Sequence, residues 1–76
     1  MMAHGIQPTP GFEGGLSLEA FQTELAVNGV GPTYYTINKA LEALNLKARR
    51  VMSDRRKVAY EIAWIEPVRK WINAQL

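Results

Sequence analysis

The side chains with the clearest chemistry are bases concentrated in one short stretch of this 76-residue chain. Positions 47–57 hold six lysines and arginines, although the whole chain has a formal net charge of only +2. Such groups bind phosphate oxygens, and arginine does so with paired hydrogen bonds. The cluster predicts a polyanion or an acidic protein as partner, with an ordinary solvated surface as the alternative. The six bases are Lys47, Arg49, Arg50, Arg55, Arg56 and Lys57.

Residues that could catalyse a reaction are sparse. The chain has a single histidine, His4, and no cysteine, and its carboxylates are not clustered. No nucleophile–base pair, acid–base pair, phosphate-binding glycine loop or metal-ligand spacing can therefore be assigned. We expect a protein that is not an enzyme and uses neither a cofactor nor a metal. A lone histidine such as His4 does not make a metal site, which needs several converging ligands.

The first fifteen residues contain four glycines and two prolines. That density predicts a flexible arm over 1–15 and one folded domain over 16–76, with Gly14-Gly15 at its edge. The N-terminus lacks the basic and apolar regions of a secretory signal. No apolar run approaches the roughly 20 residues that span a bilayer. Together with the lack of cysteine, this favours a cytoplasmic protein that does not bind membranes.

Two amphipathic segments follow the arm. Ser17 is a suitable N-cap and Asn28-Gly29 a suitable stop, which predicts a first helix over 17–28. Pro32 suits a first helical position and Asn45 ends the second segment, which predicts a helix over 32–45. The apolar faces at helical spacing are Leu18, Phe21 and Leu25 in the first helix, and Ile37, Ala40, Leu41 and Leu44 in the second.

A basic hairpin and a closing helix complete the predicted order. Alternation over 57–64, with Val58, Tyr60, Ile62 and Trp64 on one face, is typical of a half-buried strand. It would pair with residues 48–52 across a turn over 53–56. Pro67 suits the first position of a last helix, whose apolar stripe holds Val68, Trp71 and Ile72. The predicted class is α+β, mainly α.

Two helices joined by a short turn and followed by a basic hairpin suggest a helix-turn-helix with a wing. The segments GPTYYTINKALEALNL, ARRVMSDRRKVAYEI and PVRKWI resemble the winged helix-turn-helix superfamily, in particular its small excisionase and MerR-like domains. The resemblance is one of pattern and covers about residues 17–76. It implies a duplex-DNA-binding protein, either a transcriptional regulator or an architectural factor in recombination, that often acts as a dimer.

In this interpretation the helix over 32–45 enters the major groove. Tyr35, Asn38 and Lys39 would face base edges, since asparagine can pair with adenine and lysine with guanine. Thr33 and Thr36 would contact phosphate near the helix start. Solvated helix surface is the alternative for Asn38 and Lys39, and packing against a partner is the alternative for Tyr35.

The hairpin bases would contact the DNA backbone or the minor groove. Strand alternation puts Arg49 with Val51 on one face and Arg50 with Met52 on the other, so one arginine of the pair must point towards the core or an edge. The turn arginines have no such conflict and are the first candidates.

Other functions stay open. A protein-interaction module, an adaptor or inhibitor, could use the basic strip to bind an acidic partner. RNA binding ranks lower because no aromatic RNP motif or GXXG loop is present. Four aromatic side chains could stack on single-stranded bases, but each lies on an apolar stripe and core packing is favoured. They are Phe21, Tyr60, Trp64 and Trp71. A homodimer is plausible, through the last helix around Trp71 or through the arm.

Overall fold

Three helices and one hairpin form the regular structure over residues 5–75, the part of the chain that the computed structural model describes. The predicted α+β class and the order helix, helix, hairpin, helix are confirmed at this level. His4 lies outside the described residues. The elements are α1 (Leu18–Leu25), α2 (Tyr34–Ala43), β1 (Arg49–Val51), β2 (Asp54–Ala59), a 3-10 turn (Ile62–Trp64) and α3 (Ile65–Ala74).

Helix α1 begins at its predicted cap but ends earlier than predicted. The Ser17 hydroxyl accepts a hydrogen bond from the Ala20 amide at 3.1 Å, as an N-cap does. The helix ends at Leu25, because Ala26 is already extended. Asn28-Gly29 is not a helix stop. Both residues have positive φ, and they form a tight turn between Val27 and Val30, whose backbones exchange two hydrogen bonds.

Helix α2 begins two residues after Pro32, so the prediction of Pro32 as the first helical residue is wrong. The Thr33 hydroxyl is the cap and accepts from the Thr36 amide at 3.2 Å. The connection between α1 and α2 therefore spans residues 26–33, which is longer than the short turn predicted. It is held to α1 by the Gln22 side-chain amide, which donates to the Pro32 carbonyl at 3.0 Å.

The hairpin is shorter than predicted and turns elsewhere. β1 and β2 are antiparallel with Arg50 opposite Val58, and the turn lies at Met52-Ser53 rather than over 53–56. The strand predicted through residue 64 ends at Ala59. Tyr60 then pairs with Leu16 through two backbone hydrogen bonds, of 2.8 and 2.9 Å. The remaining alternation belongs to the 3-10 turn that leads into α3.

Helix α3 begins at Ile65, so Pro67 is its third residue and not its first, as predicted. Proline is tolerated there because the amides of the first helical turn have no partner within the helix. The apolar residues predicted for this helix face the core, with Val68 fully buried and Trp71 and Ile72 partly buried.

The core lies where the three helices meet the end of the hairpin. At its centre the rings of Phe21 and Tyr60 stack with centroids 5.0 Å apart. Ala59 is also buried, although alternation places it on the polar face, because the backbone of Gly15 packs against it. The buried apolar residues are Leu16, Phe21, Leu25, Ile37, Ala40, Leu41, Val51, Ala59, Tyr60, Ile65 and Val68.

Residues 9–15 contain no helix or strand, yet they pack against the rest of the domain. The amide of Thr9 donates to the carbonyl of Gly15 at 2.9 Å, and the Thr9 hydroxyl accepts from the Ser17 amide at 3.1 Å. The packed structure therefore extends beyond the predicted edge at Gly14-Gly15. The flexibility of residues 1–15 stays a prediction. No helix in the described part of the chain is both long and apolar enough to cross a bilayer.

Candidate nucleic-acid interface

The exposed face of α2 carries the residues predicted to contact bases. Tyr35 is 69% exposed, and the ammonium group of Lys39 lies 5.5 Å from the centre of its ring. Asn38 is half-buried on the same helix. The hydroxyls of Thr33 and Thr36 lie 3.1 Å apart at the helix start, where Thr33 is the cap. These two hydroxyls therefore hold the helix end, and their predicted contact with phosphate stays a prediction.

A groove separates α2 from the hairpin and brings two predicted sets of residues together. This α2–hairpin groove has a volume of about 390 Å³. Asn38 and Glu42 line it from α2, whereas Lys47 and Arg50 line it from the hairpin side. An amide that can contact a nucleobase edge thus shares one surface with two basic side chains that can bind phosphate.

Arg49 is engaged within the domain. Its guanidinium lies 3.0 Å from a carboxylate oxygen of Glu13 and 3.3 Å from one of Glu61, and it also donates to the Glu13 carbonyl at 3.1 Å. The bulge between Arg50 and Val51 resolves the predicted conflict of the arginine pair. It breaks the alternation, so Val51 is buried while Arg49 and Arg50 both stay exposed.

Arg56 is paired with Asp54 on the same strand, at 3.2 Å. Hydrogen bonds from the Arg56 side chain and from its backbone amide hold the pKa of the Asp54 carboxyl below its usual range. Asp54 is therefore a carboxylate at neutral pH and offsets part of the positive charge at the hairpin end.

The other hairpin bases are less constrained. A guanidinium N–H of Arg50 donates to the Arg55 carbonyl at 2.9 Å, and the Lys57 ammonium lies 5.3 Å from the centre of the Phe12 ring. The side chains of Lys47 and Arg55 are exposed and make no ion pair within residues 5–75. Six basic residues and the three carboxylates paired with Arg49 and Arg56 leave three positive charges in excess on the hairpin, and Glu42 on the α2 side of the groove offsets one of them.

Glu13 is a central residue of this surface, although no sequence pattern predicts it. One carboxylate oxygen accepts the amide of Met52 in the hairpin turn at 2.7 Å, and the other accepts from Arg49 at 3.0 Å. These contacts join residues 36 and 39 positions apart. No local pattern signals such a pairing; only the excess of acids in the first half of the chain hints at it. Glu13 fixes the segment over residues 9–15 to the hairpin.

Comparisons with protein-family models, with curated proteins and with solved structures give no match to this chain.

Proposed function

We propose that this protein is a winged helix-turn-helix module that binds duplex DNA, as a transcriptional regulator or an excisionase-like architectural factor. The supporting observation is the α2–hairpin groove, where Asn38 lies on the same surface as Lys47 and Arg50. Sequence-specific DNA binding needs both kinds of group, because phosphate contacts position a protein and base contacts specify its site. The excess of basic over acidic side chains on the hairpin and in the groove favours a polyanionic ligand.

The residues divide into two roles in this proposal. Tyr35, Asn38 and Lys39 contact base edges from α2, which enters the major groove. Lys47 and Arg55 contact phosphate, since their side chains are exposed and outside any ion pair within the described residues. Arg49 holds the hairpin in place through Glu13 and Glu61.

The test is the affinity for a fluorescent random-sequence duplex, measured by anisotropy at several salt concentrations. The wild type is expected to bind at low salt and to weaken steeply as salt rises, because binding releases counterions from DNA. Lys47→Ala should lower the slope of log K against log salt by about 0.9, the value for one lost phosphate contact. Arg55→Ala should act in the same way.

Lys70→Ala is the matched control for Lys47→Ala. Lys70 is also an exposed lysine, but it lies on α3, outside the α2–hairpin groove. Its removal changes the net charge equally and is expected to leave the slope close to that of the wild type. An equal decrease of the slope in both variants would show that DNA is attracted by the net charge of the protein rather than by a hairpin interface. A wild type that does not bind duplex at low salt would refute the proposal.

A second candidate function, binding of an acidic protein, is favoured by one observation. Glu13 shows that the hairpin turn accepts a carboxylate through the Met52 amide and Arg49. A parallel anisotropy assay with fluorescent poly-glutamate, run beside the duplex assay, separates the two functions. An acidic-protein module would bind poly-glutamate in the absence of duplex binding, whereas the proposed DNA-binding module would prefer the duplex.

A further inference from the structure

Tyr34 is an exposed aromatic residue at a place where two grooves meet. It is the first residue of α2 and is 56% exposed, so it is not a core residue. It lines the α2–hairpin groove and also a second groove of about 320 Å³, here the α1–hairpin groove. The two grooves share Tyr34, Val58 and Tyr60, so they adjoin at these residues, and the adjoining pair is called the track.

The track combines aromatic rings with positive charge. Beyond Tyr34, the α1–hairpin groove is lined by Phe12, by the bases Arg56 and Lys57, and by Glu19. At the other end lie Lys47 and Arg50. Basic side chains therefore flank the tyrosine on both sides, and they outnumber the acidic side chains of the two grooves. Positive grooves with aromatic platforms are how proteins bind single-stranded nucleic acids without sequence preference.

We infer that this track binds a nucleic-acid strand with unpaired bases, one of which stacks on the ring of Tyr34. The phosphates on either side of that base lie against Lys47 and Arg50 at one end and against Arg56 and Lys57 at the other. A base within a duplex is already stacked and cannot lie on a side-chain ring, so this activity needs an unpaired strand. It goes beyond duplex binding and does not depend on it.

Tyr35 provides an internal contrast with Tyr34. It is the next residue of α2 and is even more exposed, but it lines neither groove of the track. Two adjacent tyrosines thus lie on different surfaces. Tyr34 belongs to the track, whereas Tyr35 lies beside Lys39 on the face proposed to contact the duplex.

The experiment measures binding of fluorescent oligo-dT of about six nucleotides, within the range of one single-strand site. The wild type should bind at low salt. Tyr34→Leu should weaken binding by about fivefold or more, the effect of losing one stacked base, whereas Tyr34→Trp keeps an aromatic platform and should bind as the wild type does. Tyr35→Leu, the matched control, should bind oligo-dT normally. Far-UV circular dichroism verifies that each variant folds.

Two outcomes overturn the inference: a wild type that does not bind oligo-dT at low salt, or a folded Tyr34→Leu variant that binds it like the wild type. Oligo-rU of the same length shows whether the sugar matters, and Tyr34-dependent binding of either oligomer supports the inference. The duplex assay keeps the two proposals distinct. Tyr35→Leu should reduce duplex affinity while its binding of oligo-dT stays normal, so either activity can fail without the other.

Discussion

Glu13 joins the N-terminal segment to the hairpin in spite of an unfavourable backbone conformation. Its φ of 54° lies in the left-handed region, which costs a non-glycine residue about 1 kcal/mol or more. The contacts of its carboxylate with Met52 and Arg49 offset that cost. Arg49 and Glu13 are both partly exposed, so their ion pair contributes modestly.

Glu13→Ala is expected to keep the unfavourable φ and to lose both carboxylate contacts. We expect a loss of about 1 kcal/mol in the free energy of unfolding. For a domain of this size that loss lowers Tm by about 4–8 °C. Glu42→Ala is the control, since Glu42 is exposed and outside any ion pair within residues 5–75. Thermal unfolding measures Tm of both variants. An equal decrease in Tm for Glu13→Ala and Glu42→Ala would contradict a role for Glu13 in fixing the hairpin.

At the scale of elements, the approach of the 26–33 connection to α1 depends on Gly31. A Cβ atom at this position would lie 2.7 Å from the backbone carbonyl oxygen of Gln22. Because that oxygen belongs to a helix, it cannot move aside as a side chain can. Gly31→Ala should therefore displace the connection and destabilise the fold by about 1–3 kcal/mol.

Urea unfolding measures this effect, with Gly5→Ala as the control. A Cβ at Gly5 meets no heavy atom within 4 Å, so its substitution should be close to neutral. If Gly31→Ala unfolds at the same urea concentration as the wild type, the connection adapts without cost and its close packing against α1 is unimportant.

The elements that the sequence predicts well are those determined by residues close to one another in the sequence. Ser17 caps α1 through a contact three residues away, and the apolar spacing of α2 repeats within one helix. The errors occur where a distant partner decides. β2 ends at Ala59 because Tyr60 pairs with Leu16, and alternation beyond that point cannot reveal this partner. Asn28-Gly29 suits both a helix end and a tight turn, and only the pairing of Val27 with Val30 selects the turn.

Across the whole molecule, folding alters the charge pattern that locates the candidate site. The sequence places six basic residues together, and the structure keeps five of them on the hairpin, with Lys47 just before it. Folding then brings Glu13 and Glu61 to Arg49, so this base is paired within the domain. The sequence therefore predicts the region of the site. It does not predict which basic side chains stay available, because the partners of Arg49 lie 12 and 36 positions away in the sequence.

The stability of the whole domain should depend on pH through Tyr60. Burial raises the pKa of its phenol above the usual value of 10.0, and the nearby Tyr34 adds to the effect. As pH rises past 10.0, the phenol of Tyr60 loses its proton in the unfolded chain before it does so in the folded chain. The contribution of Tyr60 to folding is thus complete below pH 10 and is lost as pH rises through its folded pKa.

Tyr60→Phe removes this proton and keeps the ring that stacks on Phe21. Tm of the variant should therefore fall less than that of the wild type between about pH 9 and pH 11. Tyr35→Phe is the control, because Tyr35 is 69% exposed and should show the alkaline loss of the wild type. Lysines deprotonate equally in all three proteins, so only the difference between the curves reports on Tyr60. Parallel curves for the wild type and Tyr60→Phe would mean that the phenol ionises as readily in the core as in the unfolded chain.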